Sequence, residues 1–364
     1  MPLNRPTAPQ GSLGPFGPSS DLPLEIGLEK ILLFPHKLTG LFSNLTGADQ
    51  TYPISVELSL TSRCNLSCNF CSDLILRQNC PDNLEISRLK DLFIDLAHGG
   101  TRGVTIEGGG EPTISPLFKQ AVLTAKAQKL SVGLITNGAE LFKGSISKQF
   151  YSNFQWIRIS LDASNAQQYK LIKGSDRFQA VLDNLAALTT IKPKPVLGLG
   201  YVLTNQNDQI DSLIALTETL SQMGADYLHL RPVVDRPNLV SKALPENLSA
   251  LSRPGFSVNL AAMTDNMGQG NDGLPCLAHS LSVAITADGS VWLCGRLGSN
   301  PTEDAMGNLC EASFSEIWRG PRRLKQAKLA AQESFCRLNC PQCRMTKYNR
   351  LLNRLSQIKT KDFI

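Results

Sequence analysis

Three cysteines stand at spacing C-x3-C-x2-C in the stretch Cys64-Asn65-Leu66-Ser67-Cys68-Asn69-Phe70-Cys71. Three thiolates on one short loop can hold three irons of a cubane 4Fe–4S cluster, where four would close it. The fourth iron then stays open to another ligand, by the logic that separates catalytic from structural metal sites. Two plainer readings stand beside this one: a zinc knuckle whose fourth ligand is distant, and ordinary buried thiols. Phe70, just ahead of the last cysteine, favours the cluster, because an aromatic ring there can shield one side of it.

The triplet follows an alternating run, Ile54 to Leu60, that reads as a strand. The cysteines therefore lie in a loop at a strand's C-terminal end, where α/β folds carry their active-site groups. Strand-like segments recur at Ser55–Leu60, Gly103–Glu107, Ser131–Thr136, Trp156–Leu161, Val196–Thr204 and Tyr227–Leu230. Helical patterns alternate with them at Ile86–Ala97, Leu117–Gln128, Phe178–Thr189 and Gln209–Met223. Six βα units in series imply a parallel sheet with right-handed crossovers. That is too few for a closed eight-stranded barrel. The expected fold is α/β, a partial (β/α)6 barrel, with an open doubly wound sheet as the runner-up.

Around this barrel, expected at 51–232, the chain divides by composition. Residues 1–50 read as a flexible Pro-, Gly- and Ser-rich segment plus a short helix from Leu24 to Phe34, stopped by Pro35. Residues 233–275 read as a bridge with one strand near Gly255–Leu260. Residues 276–364 form a small cysteine-rich unit, ending in a basic helix over Lys347–Lys359 whose Leu351, Leu352, Leu355 and Ile358 suit docking.

A chain of 364 residues, 42% hydrophobic and 18% charged, can bury a full core. No apolar run reaches the length of a membrane span, and no signal peptide is visible. Ten cysteines without an export signal argue for metal binding in a reducing compartment, so a cytoplasmic location is expected. The net charge of +5 gathers at the C-terminal end, where Lys and Arg far outnumber Glu333 and Asp362. A solvated helix face explains this, as does an acidic partner. Aromatic residues do not interleave the basic ones, which argues against nucleic-acid binding.

A second motif, Glu107-Gly108-Gly109-Gly110-Glu111-Pro112, follows the second strand. Its glycines let the backbone turn sharply and approach a ligand, and the Glu111 carboxylate can accept from an ammonium group. Together the two motifs resemble the radical S-adenosylmethionine enzymes over residues 52 to 232. Thr136-Asn137-Gly138 and Ile159-Ser160-Leu161-Asp162, at the ends of the third and fourth strands, support the resemblance. It implies that Cys64, Cys68 and Cys71 hold a 4Fe–4S cluster whose open iron binds S-adenosylmethionine. It also implies that Gly109, Gly110 and Glu111 hold the methionine ammonium. Ser160 is a candidate contact to the carboxylate or ribose, and Asn137 is either a contact or a turn cap. An external reductant such as flavodoxin or ferredoxin is the expected partner, with no membrane.

The C-terminal cysteines resemble the auxiliary-cluster domains called SPASM and twitch. Cys276, twelve residues, Gly289, four residues and Cys294 fit the opening of that motif, with a hairpin between the cysteines turned at Ala287-Asp288-Gly289-Ser290. Gly307-Asn308-Leu309 and Phe314-Ser315-Glu316-Ile317-Trp318 are similar to the same segment. The closing run Cys336-x3-Cys340-x2-Cys343 is shorter than a full SPASM domain carries, so one auxiliary cluster on Cys276, Cys294, Cys340 and Cys343 is expected. Cys336 is an alternative ligand, a second open cluster stays open as a reading, and a four-thiolate zinc site is the plain alternative. Cys80 and Cys310 are expected to be buried packing residues; one of them as a hydrogen-atom donor to a substrate radical is the sharper reading.

The function expected from these resemblances is abstraction of a hydrogen atom from an unactivated C–H bond of a peptide, leading to oxidation, cross-linking or epimerisation. The 63 residues before Cys64 are fewer than a fused leader-recognition domain needs, which keeps a sugar or aminocyclitol substrate as the alternative. Arg158 and Arg231, near strand ends, are candidates for holding a polar substrate. A zinc-stabilised binding protein is the reading from another class.

Overall fold

The computed structural model describes residues 28–43, 51–234, 236–241, 251–260, 274–299, 305–332, 334, 335, 339, 340, 343 and 345–357. The six expected strands form as β1 (Ser55–Leu58), β2 (Gly103–Ile106), β3 (Ser131–Thr136), β4 (Trp156–Ser160), β5 (Val196–Leu203) and β6 (Tyr227–Pro232). They lie side by side in chain order, all parallel. Helices Ile86–His98, Phe118–Ala127, Phe178–Thr189 and Ile210–Gln222 stand where the 3.6-residue pattern put them. One helix, Ala166–Lys173, escaped that pattern. Its polar sequence hides the period, yet its ends are plainly marked by Asn165, which caps Gln168, and by left-handed Gly174.

The sheet reaches beyond six strands at both edges. β7 (Ser257–Leu260) pairs parallel with β6, inside the stretch expected as a bridge. On the other edge β8 (Ser282–Ile285) pairs parallel with β1, register Val56 to Val283. β9 (Ser290–Trp292) and β10 (Gly307–Asn308) then continue antiparallel. The hairpin expected around Gly289 is thus β8–β9, and it extends the barrel sheet. The strand order is β10-β9-β8-β1-β2-β3-β4-β5-β6-β7, open at its ends. A partial barrel results.

The strands alternate between two environments. Val56, Leu58, Val104, Ile106, Ile157 and Ile159 are at most 1% exposed and face the helices. Each such side chain contributes about 2 kcal/mol through removal from water. Glu57, Thr105, Arg158, Ser160, His229 and Arg231 take the opposite, half-buried face. A polar concave face at the sheet's inner side is what a partial barrel needs to admit a ligand.

At the N-terminus the expected helix forms as a 3-10 turn over Leu28–Leu33, and an α-helix runs over Pro35–Ser43. Pro35 therefore opens a helix rather than stopping one. Proline is well suited to a first helical position, where its missing N–H would have no partner anyway. The expected flexible segment 1–20 lies outside the described residues. The C-terminal helix forms over Thr346–Ser356 and docks as expected. Leu352 packs with Ile31, Leu41, Ala278 and Leu281, while the Asn349 side chain accepts from the Leu277 and Ala278 N–H groups.

Candidate active site

The cysteine loop leaves β1 and is tied down from three directions. Thr61 and Ser62 donate to the two oxygens of Asp82, from the hydroxyl at 2.5 Å and the amide at 2.7 Å. The glycine-rich loop after β2 runs alongside: Gly110 N–H donates to the Thr61 carbonyl and Glu111 N–H to the Arg63 carbonyl, both at 2.8 Å. Here the need for glycine is steric, since a Cβ at Gly110 would fall 1.8 Å from the Arg63 carbonyl oxygen. Gly109 adopts φ +63°, a left-handed conformation that glycine takes without strain. The two sequence motifs are one hydrogen-bonded unit.

The third tie comes from the helix that the period missed. Ser67 and Asn69 N–H groups donate to the carbonyls of Lys173 and Ile172 at its C-terminal end. A helix C-terminus is electronegative, an unfavourable neighbour for thiolates. The fully buried Lys173 ammonium offsets this: it pairs with Asp162 and lies 5.4 Å from the Phe70 ring centroid. Burial alone would lower the Lys173 pKa, but the charges of Asp162 and Cys68 outweigh it and raise it. Asp162 is itself held at φ +59° while its carboxylate accepts from the Val202 N–H at 2.6 Å.

Cys64, Cys68 and Cys71 are all half-buried on this loop. Burial pushes the Cys68 thiol up to about 11 and raises Cys64 as well, against the opposing pull of Lys173 and Arg77 respectively. Arg77 Nη1 lies 3.8 Å from the Cys71 sulfur, and Arg236 donates to the Cys71 carbonyl at 3.0 Å. Thiols that resist ionisation until a positive ion arrives, ringed by cations that tolerate the anionic complex, match the donor chemistry of an iron–sulfur cluster. Among the described residues, no three Cys, His, Asp or Glu side chains form a ready-made site for a single metal ion.

Glu111 is placed differently from a freely presented ligand. It is 2% exposed, and its Oε1 accepts from Thr113 N–H at 3.1 Å and from the Thr113 and Thr136 hydroxyls, both at 2.6 Å. Its Oε2 accepts from Asn137 N–H at 2.7 Å. Burial raises its pKa against the lowering effect of these donors. The carboxylate therefore fastens the glycine loop to the end of β3. Asn137 continues the chain of contacts by donating to the Asn65 side chain at 2.7 Å, between two of the cysteines, and it also caps its own turn through Ala139 N–H. Ser160 ends β4 on the concave face, register-paired with Gly200.

In the C-terminal segment Cys276 N–H donates to the Ala330 carbonyl, and Arg296, two residues after Cys294, donates to the Asn339 carbonyl beside Cys340. Cys340 is buried while Cys276, Cys294 and Cys343 are half-buried, on segments joined by these bonds. Cys336 lies outside the described residues. Of the remaining thiols, Cys80 is half-buried, but Cys310 is exposed, contrary to the expectation of a packing residue. It sits on the short connection after β10, with its sulfur 3.8 Å from the Asp288 carbonyl. Sequence spacing offered no sign that Cys80 also neighbours Asp288.

Comparison with known proteins agrees with this geometry. A model of the radical SAM superfamily matches residues 58–216, and a model of an iron–sulfur cluster-binding domain, SPASM, matches residues 276–344. Among curated proteins, the mycofactocin maturase MftC of Mycolicibacterium smegmatis is 32% identical over 170 residues, covering 45% of this chain and 41% of the maturase. The GTP 3',8-cyclase of Chlorobaculum tepidum is 27% identical over 187 residues, 50% of this chain and 54% of the cyclase. The chain spans about half the length of these relatives. Among solved structures, Streptococcus suis SuiB bound to its precursor peptide SuiA aligns with TM-score 0.62 at 14% identity, over 89% of this chain and 79% of SuiB. That likeness is one of fold. Among the described residues no helix is long and apolar enough to cross a membrane.

Proposed function

We propose, on the premise that this chain belongs to the radical SAM superfamily and carries a C-terminal iron–sulfur cluster-binding domain, that it modifies a peptide at an unactivated C–H bond. The observation that carries this reading is the pair of backbone hydrogen bonds from Gly110 and Glu111 to the cysteine loop, which puts thiols and ligand loop in one rigid unit at the C-terminal edge of a parallel sheet. A bound cluster and S-adenosylmethionine would supply a carbon-centred radical by one-electron cleavage of a carbon–sulfur bond.

The chain's own residues do the rest. Cys64, Cys68 and Cys71 would hold the cluster, with Arg77 and Lys173 balancing its charge. Gly109 and Gly110 would offer backbone at close range to the methionine ammonium, Asn137 and Ser160 would flank it, and Glu111 keeps that backbone in place. The half-buried face of β4 to β6 would orient the substrate so that one hydrogen is within reach, since placement decides which hydrogen is lost. Cys276, Cys294, Cys340 and Cys343 would hold an auxiliary cluster, a route for a second electron and so for net oxidation. Cys80 or Cys310 would matter only for an epimerisation, as hydrogen-atom donor.

Support for a peptide over a sugar comes from two relatives: a maturase, and a neighbour in fold captured with a precursor peptide. The test is anaerobic reconstitution, chemical reduction and mass spectrometry for 5'-deoxyadenosine and for a mass change in short peptides encoded beside the gene. Deoxyadenosine formed together with a two-hydrogen mass loss is expected. Turnover of aminocyclitols alone would replace the peptide reading. A colourless, zinc-loaded protein would end the enzymatic one.

A further inference from the structure

β5 carries glycine at alternate positions, Gly198 and Gly200, in a strand whose Leu197, Leu199 and Tyr201 are fully buried on the outer face. Glycine weakens a strand interior, and where it recurs on one face something else takes up the room. Two neighbours do so here. The Tyr227 ring lies where a Gly198 side chain would be, 1.9 Å from the position of its Cβ, and Arg158 passes Gly200 at 3.7 Å. Arg158 on β4 and His229 on β6 can therefore meet across the bare strand between them, Nη1 to Nδ1 at 3.5 Å.

Both line a cavity of about 330 Å³, together with Lys30, Thr105, Gln155 and Trp156. Ser55, Gly103 and Ser131, the first residues of β1, β2 and β3, also border it. The cavity therefore enters the sheet from the edge opposite the cysteine loop. Arg158 Nε is buried without a hydrogen-bond partner among the described residues, and no carboxylate there pairs with its guanidinium. Burial, aided by the positive charges of Arg158, Arg231 and Lys347, holds the His229 pKa down to about 3, which keeps the ring neutral. Among the described residues Glu57, on β1, and Glu107, two residues beyond Thr105, are acidic on this face, and each has a partner of its own. A guanidinium presents a planar fork suited to a carboxylate. Trp156 beside it adds an aromatic wall.

We propose that this cavity receives a carboxylate of the peptide substrate, with Arg158 as its partner and Trp156 packing on the adjoining side chain. The proposal rests on the peptide reading above and adds what that peptide must carry. A free C-terminus and an acidic side chain offer the same chemistry.

Calorimetry on the full, cluster-reconstituted chain separates the sources with acetyl-Gly-Gly-Phe bearing a free terminus, acetyl-Glu-Gly-Phe-amide, and acetyl-Gln-Gly-Phe-amide as the uncharged control. One of the charged tripeptides is expected to bind about tenfold tighter than the control, and the tighter of the two identifies the source. Arg158→Gln should erase that advantage. Arg158→Lys keeps the positive charge but loses the planar fork, so it should fold normally and lower the advantage about threefold, carrying the test if Arg158→Gln does not fold. Equal binding of all three peptides, or an advantage that survives both variants, overturns the proposal, as does GTP outcompeting the peptides at this site. Deoxyadenosine formation and peptide mass change are followed in parallel. Intact peptide modification with no carboxylate preference sinks this site alone, whereas a wild-type chain that modifies no peptide sinks the reading beneath it.

Discussion

Gly110 lies so close to Arg63 that any side chain at the glycine would overlap the arginine's carbonyl oxygen, at 1.8 Å from a Cβ. The contact joins the glycine-rich loop to the cysteine loop, and both belong to the backbone, so neither can yield by changing a rotamer. Gly110→Ala should separate the loops at a cost of about 1–3 kcal/mol. The variant should remain folded but retain much less iron after reconstitution. Wild-type iron content with an unchanged melting temperature would show that the loops are not coupled this way.

Glu111 is saturated by donors, so Glu111→Gln inserts an amide NH2 among groups that need an acceptor. A loss of about 1–3 kcal/mol in urea unfolding is expected, because one buried donor is left unmatched. A direct ligand role predicts something different: unchanged stability with abolished S-adenosylmethionine binding. Equilibrium unfolding and cofactor affinity measured on the same sample distinguish the two.

The buried pair Asp162 and Lys173 supports the cysteine loop from beneath. Lys173→Met alone leaves an isolated buried carboxylate and should cost about 3–5 kcal/mol. Adding Asp162→Asn should recover much of the loss by removing the stranded charge. A double-mutant cycle in urea reads the coupling, and strictly additive effects would deny it.

His229 gives a signed pH dependence. Its folded pKa, about 3, lies below the ordinary value of 6.5. The unfolded chain therefore binds more protons in that window, and the histidine's contribution is present above 6.5 and lost as pH falls toward 3. The full effect is about 5 kcal/mol. The gap in melting temperature between wild type and His229→Asn should change progressively across this window, with the wild type losing more on acidification. Parallel curves would contradict it.

Much of the site was legible along the chain because its parts are local. Cysteine spacing, the glycine run and the period-two strands all act over fewer than ten residues, and each element formed close to its expected bounds. The helix Ala166–Lys173 was missed because its apolar residues are too few for a period, although its capping residues stood in view. Pro35 was misread because proline is compatible with the first turn of a helix as well as with the end of one.

The amino-acid order by itself determined where thiol donors recur at short spacing and which segments become strands, since those depend on residue type and on short-range backbone preference. Which strands lie together is another matter. That β8 borders β1, that Lys173 sits under Cys68 and that Arg158 reaches His229 across two glycines all depend on how apolar faces cover one another over long separations. Only the packing of the whole sheet against its helices selects those neighbours, because burial rewards area removed from water and is indifferent to distance along the chain.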